Sequence, residues 1–388
     1  MRPRLFVAVA VVLAVAGMVL PDPRPVRAGE QPSLSGEYKV LDPIRHGSLT
    51  IFPVVARKSY ATGDFLTLDE GLRSGDVVVT EYGSVPGLLR RHVAPAMQHN
   101  GAEVNRLVLV NNSKRPLLLL AGEIVTGGKQ DRVIGKDRIV PPESDPVDLS
   151  VFCVEPGRWV ATSDRFGASG TTYSAAGVGS GSGGGIGASA GTMMAQPSVR
   201  AKAMGEKDQN QVWAEVRKQQ SSMAVELAPS APQASRDEIR STTSYAHVME
   251  NKDVKEKIDE VAKPVEQNYQ SLIKQLRDRK AVGVVVAVNG RIIWSDVFAS
   301  TELLEKYWPK LVRSYASEAV VSRAKGGEAS QTQAEAFLAN MDGRKETIES
   351  EPGIYRHTEV NGDGFKAFAL TSLLPKTGFD VHVAKMAE

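Results

Sequence analysis

Three stretches of the 388-residue chain break apolar, strand-like runs with charge, and each holds residues able to bind an anion or move a proton. In the first, Leu117–Leu120 runs into Ala121-Gly-Glu-Ile-Val-Thr-Gly-Gly-Lys-Gln-Asp-Arg132. Glu123 then stands at a strand end, and a glycine turn presents Lys129, Gln130 and Arg132. Rigid elements hold functional side chains more firmly than loops do. One carboxylate facing two cations would orient an anionic or hydroxyl-rich ligand, or give Glu123 a general acid/base part. The alternative is a solvated hairpin whose surface ion pairs contribute little.

The second stretch is Phe152-Cys-Val-Glu-Pro-Gly-Arg-Trp159, where Glu155, Arg158 and Trp159 follow a strand at a turn shaped by Pro156-Gly157. A guanidinium bonds phosphate or carboxylate in two places at once, and an indole offers a flat stacking surface. A packed Trp159 with a structural Glu155–Arg158 pair is the plainer reading. The third stretch is Trp294-Ser-Asp-Val-Phe298, in which Asp296 is a site carboxylate or a cap for the following turn. Tyr307, Lys310 and Tyr315 on the next helix converge with Asp296 in the first case, although both tyrosines also fit a core stripe.

The elements that position these residues fall into two kinds. Ser48–Val55, Val77–Tyr82, Arg106–Val110, Leu117–Leu120 and Val147–Val154 are short, rich in Val, Ile, Leu and Phe, and separated by turn residues, which predicts strands. Thr67 with Glu70 makes a capping-box pair for one short helix ending at Gly75. Asn111-Asn112-Ser113 and Gly127-Gly128 predict hairpin turns. After residue 200 helical patterning takes over: Gln211–Gln220, then Ser235–Arg279, opened by a Ser235…Glu238 capping box and interrupted near Pro264. Val282–Val288 and Arg291–Phe298 flank Asn289-Gly290, the strongest short hairpin pattern. A helix from about Ser300 carries Leu303, Leu304, Tyr307, Trp308, Leu311, Val312 and Tyr315, with a kink or restart expected at Pro309. Ile354–Val360, Phe365–Leu370 and Phe379–Val383 close the chain as strands. The prediction is an α+β fold, β-rich in its N-terminal half with helices and β-hairpins in its C-terminal half, forming a single domain over 36–388.

Gly167–Gly191 is different material, with ten glycines in 25 residues. Such a tract buries too little apolar surface to offset its ordering entropy, so residues 167–198 are expected to be a flexible, disordered insertion. Its G-x-G-x-x-G match at Gly179, Gly181 and Gly184 lacks the strand before and the helix after that a dinucleotide loop needs.

At the N-terminus, Arg2 and Arg4 precede an apolar run from Leu5 to Leu20, and Val26-Arg27-Ala28 resembles a cleavage site. Residues 1–28 are therefore read as a signal peptide, with export to the periplasm or exterior; a retained N-terminal anchor is the alternative. The run is short for a membrane span, and no span is expected in the mature chain. Losing four arginines and Asp22 with that segment takes the formal charge from +2 to −1. Such a balance gives no electrostatic ground for a nucleic-acid partner. Cys153 is the single cysteine, so no intramolecular disulfide forms; a lone cysteine can be a nucleophile, but its strand-like neighbours favour a place in the core. The six histidines, at 46, 92, 99, 247, 357 and 382, show no zinc-motif spacing, and no metal site is predicted. No G-x-S-x-G elbow occurs, and no cofactor is identified.

Taken together, "LLLLAGEIVTGGKQDR", "FCVEPGRW", "QNQVWAEV", "STTSYAHV", "VNGRIIWSDVF" and "YWPKLVRSYASEAV" resemble the ARG-and-rhodanese-phosphatase-superfamily-associated protein domain family, over residues 46 to 322. Two positions depart from the family pattern: Ile124 stands where a second acid is usual, and Gly128 where alanine is common. The resemblance implies a role near ADP-ribose or related nucleotides. The expected function is thus an exported protein with a site for a small, ADP-ribose- or nucleotide-like anion. Glu123 and Asp296 are its acid/base candidates, and Lys129, Gln130, Arg132, Glu155, Arg158 and Trp159 its ligand contacts. The alternative is a non-enzymatic envelope protein that holds a protein partner through the charged helical region.

Overall fold

Leu49–Ala56 is buried along its whole length, as a strand covered on both faces must be. It is the third strand, β3, after β1 (Tyr38–Val40) and β2 (Ile44–His46). The computed structural model describes residues 38–81, 106–157, 166–167, 193–276, 280–322 and 327–388. The expected signal segment, Arg158, Trp159 and most of the glycine tract lie outside them. Along the chain follow β4 (Leu66–Thr67), α1 (Leu68–Ser74), β5 (Val77–Glu81), β6 (Arg106–Asn111), β7 (Leu117–Leu119) and β8 (Glu123–Gly127). Then come β9 (Arg132–Ile134), β10 (Arg138–Val140), β11 (Val147–Cys153), β12 (Phe166–Gly167) and β13 (Met193–Met194). The helices α2 (Pro197–Ala201), α3 (Gln209–Glu226), α4 (Gln233–Ser241), α5 (Tyr245–Glu250) and α6 (Lys252–Gln275) precede β14 (Lys280–Val288) and β15 (Arg291–Phe298). The chain ends with α7 (Thr301–Val321), α8 (Gln331–Ala339), β16 (Gly343–Glu351), β17 (Tyr355–Gly362), β18 (Phe365–Ser372) and β19 (Asp380–Ala387). The fold is α+β.

The largest sheet runs β1-β3-β14-β15-β19-β18-β17-β16, with β2 also on β3, so strands from both ends of the chain share it. Alternation along β14 sends Val284, Val286 and Val288 into the main core with α6 and α7. Val282, Val285 and Ala287 go to the opposite face, under α8. A second sheet, β12-β5-β6-β11-β9-β8, closes on itself because β12 pairs with both β5 and β8. Its interior is a separate apolar cluster of Val77, Val79, Leu107, Leu109, Val125 and Phe166 with their neighbours. β10, β7 and β4 form a small third sheet.

Local chemistry explains most boundaries. Thr67 and Glu70 make the expected reciprocal cap, and Gly75 ends α1 in the left-handed region at φ 75°. Asn289 and Gly290 both have positive φ, 50° and 77°, as the tight turn between β14 and β15 requires. Several expectations are corrected. Asn111-Asn112-Ser113 is no hairpin: β6 pairs with β5 and β11, and the Asn111 side chain instead bonds the carbonyls of Arg115 and Pro141. α4 starts at Gln233 rather than at Ser235, whose hydroxyl bonds Asn251. Pro264 and Pro309 lie inside continuous helices. The end of the expected 167–198 insertion is structured, since Met194, Ala195 and Gln196 are buried between β13 and α2. No helix among the described residues is long and apolar enough to cross a membrane.

Candidate functional site: a buried charge network under Lys136 and His357

Asp296 projects from β15 into the main core and is fully buried. Arg200 of α2 holds it with two bonds, Nη1 to Oδ2 at 2.9 Å and Nη2 to Oδ1 at 3.0 Å. The guanidinium also lies over the Trp294 ring at 4.4 Å and donates through Nε to the carbonyl of Ala121. The Tyr315 hydroxyl donates to Asp296 Oδ2. His382 of β19 places Nε2 3.1 Å from Asp296 Oδ1 and Nδ1 2.5 Å from Asp137 Oδ2. Asp137, in the turn between β9 and β10, uses its other oxygen to accept the Ala121 N–H at 2.7 Å. Two carboxylates, one guanidinium and one imidazolium thus balance in a region where none of the four side chains meets solvent.

The shifts follow from that geometry. Burial alone would push the Asp296 carboxyl up, but Arg200 and His382 outweigh it and hold the group far below the usual range. Burial would lower the His382 pKa, yet the two carboxylates raise it to about 9, so the ring is an imidazolium at neutral pH. Asp137 resists burial in the same way, through His382, and is lowered.

Glu123 begins β8 one residue after Gly122, and it too is fully buried. Its carboxylate accepts the Leu120 N–H and pairs with Lys310 of α7, which also bonds Asp69 at 2.8 Å. Burial pushes the Glu123 carboxyl up against the pull of Lys310, whereas Lys310 is raised because Glu123 and Asp69 outweigh its own burial. The turn at residues 120–122 therefore joins the two predicted carboxylates: Glu123 bonds Leu120, and Arg200 and Asp137 bond Ala121. Gly122 makes this possible, with φ +96° and a Cβ position only 2.5 Å from Arg200 Cγ. Gly122→Ala is expected to cost at least about 2 kcal/mol of stability by urea denaturation, through strain and overpacking together. A change below about 0.5 kcal/mol, the usual range of surface substitutions, would show that the approach is not tight.

Of the other predicted contacts, Lys129, Gln130, Arg132 and Glu155 gather at the turn between β8 and β9, and Arg158 and Trp159 lie outside the described residues. Lys129, half-buried, donates its backbone N–H to Glu81 at 2.7 Å. Gln130 donates to the Glu155 carbonyl at 3.0 Å, and the Glu155 carboxylate accepts the Asp131 N–H at 3.1 Å. Arg132 is fully buried on β9, with Nη1 3.4 Å from the Asp131 carbonyl. Gln130 and Glu155 thus brace the turn against the exit of β11. Beside them Cys153 is buried, and burial raises its thiol pKa. Of the three α7 residues expected beside Asp296, only Tyr315 bonds it; Lys310 pairs with Glu123 and Asp69 instead, and Tyr307 donates to the Leu118 carbonyl.

Sequence reasoning missed Arg200, Asp137 and His382 as partners, and missed the outer end of the network. His357 of β17 lies in register with Leu370, which lies in register with His382, so both rings share one face of the large sheet. His357 is 2% exposed, and neither ring nitrogen has a hydrogen-bond partner among the described residues. Burial lowers its pKa to about 4; Asp137 and Glu359 oppose this, and Lys136 and Lys207 reinforce it. Lys136, half-buried in the β9–β10 turn, is itself lowered to about 8, first by burial and then by Arg138. Lys207 pairs with Glu359 at 2.7 Å and remains exposed. Asp137 thus bonds an ionised imidazole and feels the charge of a second, largely neutral one, on which Lys136 and Lys207 also act.

A family model described as ARG and Rhodanese-Phosphatase-superfamily-associated Protein domain matches residues 37–385. No curated protein matches the chain. No solved structure matches it either.

Proposed function

The chain belongs to that family over nearly its whole length, and from that premise we propose that it is an exported protein that binds a small anionic molecule of the ADP-ribose or nucleotide kind at the Lys136–His357 end of the buried network. One observation carries the reading: a buried, neutral His357 with two uncommitted ring nitrogens lies among Lys136, Lys207 and Asp137. Two titratable groups whose surroundings push their pKa values apart are the usual mark of acid/base assignments. Here those groups are His357, at about 4, and His382, at about 9. Lys136 and Lys207 attract the anion, and His357 accepts a proton from a bound hydroxyl or water. Asp137, tied by His382 and the Ala121 N–H, stabilises the charge that forms on His357. Glu123, Lys310 and Asp69 support the same turn from the other side. Export rests on Arg2, Arg4 and the apolar run Leu5–Leu20.

The charged helical region offers less support for a partner-binding role. Three ion pairs are formed within α6, Lys252 with Glu256, Lys257 with Glu260 and Lys263 with Asp259, and Asp259 also pairs with Arg313 of α7, so part of its charge is already used inside the protein.

His357→Leu tests the proposal because it separates folding from binding. Removing two buried, unbonded nitrogens is expected to leave stability unchanged or raise it by about 1 kcal/mol. The same change should abolish the thermal shift produced by an anionic ligand, the trade-off expected of a site residue. A loss of about 2 kcal/mol or more, with ligand response retained, would make His357 a structural group and sink the reading.

A further inference from the structure

Where α2, α3 and α7 meet, two acids share one amide and one hydroxyl. Glu215 and Gln219 stand four residues apart on one face of α3. Glu318 comes from the last turn of α7 and Ser198 from the start of α2. Gln219 donates through Nε2 to Glu215 Oε1 at 2.5 Å and to Ser198 Oγ at 3.0 Å. Glu318 accepts the Ser198 N–H at 3.0 Å and the Gln196 amide at 3.4 Å. Lys218 bonds both oxygens of Glu215, at 3.1 and 3.3 Å, although its side chain is 67% exposed.

One acceptor in this cluster is left over. Gln219 is 3% exposed, and its Oε1 has no hydrogen-bond partner among the described residues. The bond to the Glu215 carboxylate fixes which end of the amide is the nitrogen. An amide is planar, so one of its two N–H bonds points to the same side as its C=O. The unbonded Oε1 therefore faces the side on which Glu215 or Ser198 lies. A buried acceptor without a donor costs roughly 1–3 kcal/mol, which a bound cation would recover. Glu318 feels the same excess of negative charge. Burial first, and then Glu215, push its carboxyl pKa up against the pull of Ser198 and Lys218.

We propose that these side chains bind a calcium ion, with Glu215, Glu318 and Gln219 Oε1 as its protein ligands. Oxygen is the only ligand type on offer, which suits a hard cation and disfavours zinc or copper. Two carboxylates and a neutral amide from separate helices make the mixed, adaptable set that calcium accepts, whereas magnesium demands near-ideal octahedral geometry. No three His, Cys, Asp or Glu side chains gather to hold a metal among the described residues, so this site depends on the amide oxygen as its third ligand. The ion displaces Lys218 from Glu215, and the exposed amine turns to water.

Calorimetric titration of the chelator-treated protein with calcium, and separately with magnesium, tests this. One saturable calcium site is expected, with magnesium at least about tenfold weaker. Glu215→Gln and Glu318→Gln keep the side-chain shape and should each weaken calcium at least about tenfold, since each removes a charged ligand. Lys218→Gln should tighten calcium, because no amine then competes for Glu215. Its position is exposed, so this variant should fold as the parent does and carries the test if a glutamate variant unfolds. Absence of saturable calcium binding at millimolar concentration overturns the proposal. A calcium affinity left unchanged by both glutamate variants, or by Lys218→Gln, overturns it as well.

Discussion

Replacing Arg200 by methionine is expected to remove about 3–5 kcal/mol of folding stability, because it leaves Asp296 buried with too little positive charge beside it. Asp296 has no exposed edge from which water could take over the two guanidinium bonds. His382 cannot replace them, since it already divides its charge between Asp296 and Asp137. The double variant Arg200→Met, Asp296→Leu should be more stable than Arg200→Met alone, because the orphaned charge goes with its partner. Urea denaturation of both variants at one pH measures the difference. A single-variant loss below about 1 kcal/mol would mean that Asp296 is protonated or hydrated when Arg200 is gone, and that the network does not hold the fold together.

Stability should also peak near pH 6.5 and fall on both sides, for opposite reasons at the two histidines. His382 has its folded pKa raised from 6.5 to about 9. Its contribution is therefore fully present below pH 6.5 and is lost as pH rises through 9, for about 3 kcal/mol at the limit. His357 has its folded pKa lowered from 6.5 to about 4. Its contribution is present above pH 6.5 and is lost as pH falls towards 4, where the unfolded chain takes up a proton that the native state refuses, again for about 3 kcal/mol at most. Asp296 and Asp137, both held below the usual carboxylate range, lose their contributions only in stronger acid. Thermal midpoints across this range read both limbs. His382→Gln should flatten the alkaline limb and His357→Leu the acid one. A profile flat from pH 5 to pH 9 would contradict the assigned charge states.

The elements were legible in the sequence wherever local chemistry decides them. Thr67 with Glu70, Gly75, and Asn289-Gly290 each satisfy a requirement set within a few residues. Pro264 and Pro309 misled because a proline ends a helix only if its freed carbonyl cannot be served. Pro309 lies on the exposed side of α7 and Pro264 is half-buried, so water can reach the backbone there and the helices continue. The site was half legible. Glu123 and Asp296 each stood out as a charge ending an apolar run, and Tyr315 stood out as a partner for Asp296 from the following helix.

Their other partners were not visible, because Asp137, Arg200 and His382 come from a turn, a five-residue helix and the closing strand, up to 245 residues apart in the chain. Only a lone histidine in the apolar run Val381–Ala384 hinted that something buried must match it. Arg132, Gln130 and Glu155 carried the residue types of an anion site, yet folding turns them inward to hold the β8–β9 turn. The long-range pairing of β3 with β14 brings the two halves into one sheet, and no periodicity within either strand foretells it.

The most direct test of the account is a thermal-shift comparison of the protein with Lys136→Ala and Lys207→Ala, across ADP-ribose, nucleotides and phosphosugars. A ligand that binds only the native state adds about 2.7 kcal/mol at 100 times its Kd, a shift that is easily read. The account predicts that at least one anion raises the melting temperature of the parent and that the rise shrinks in both variants. No shift with any anion, or an equal shift in parent and variants, would contradict an anion site beside His357.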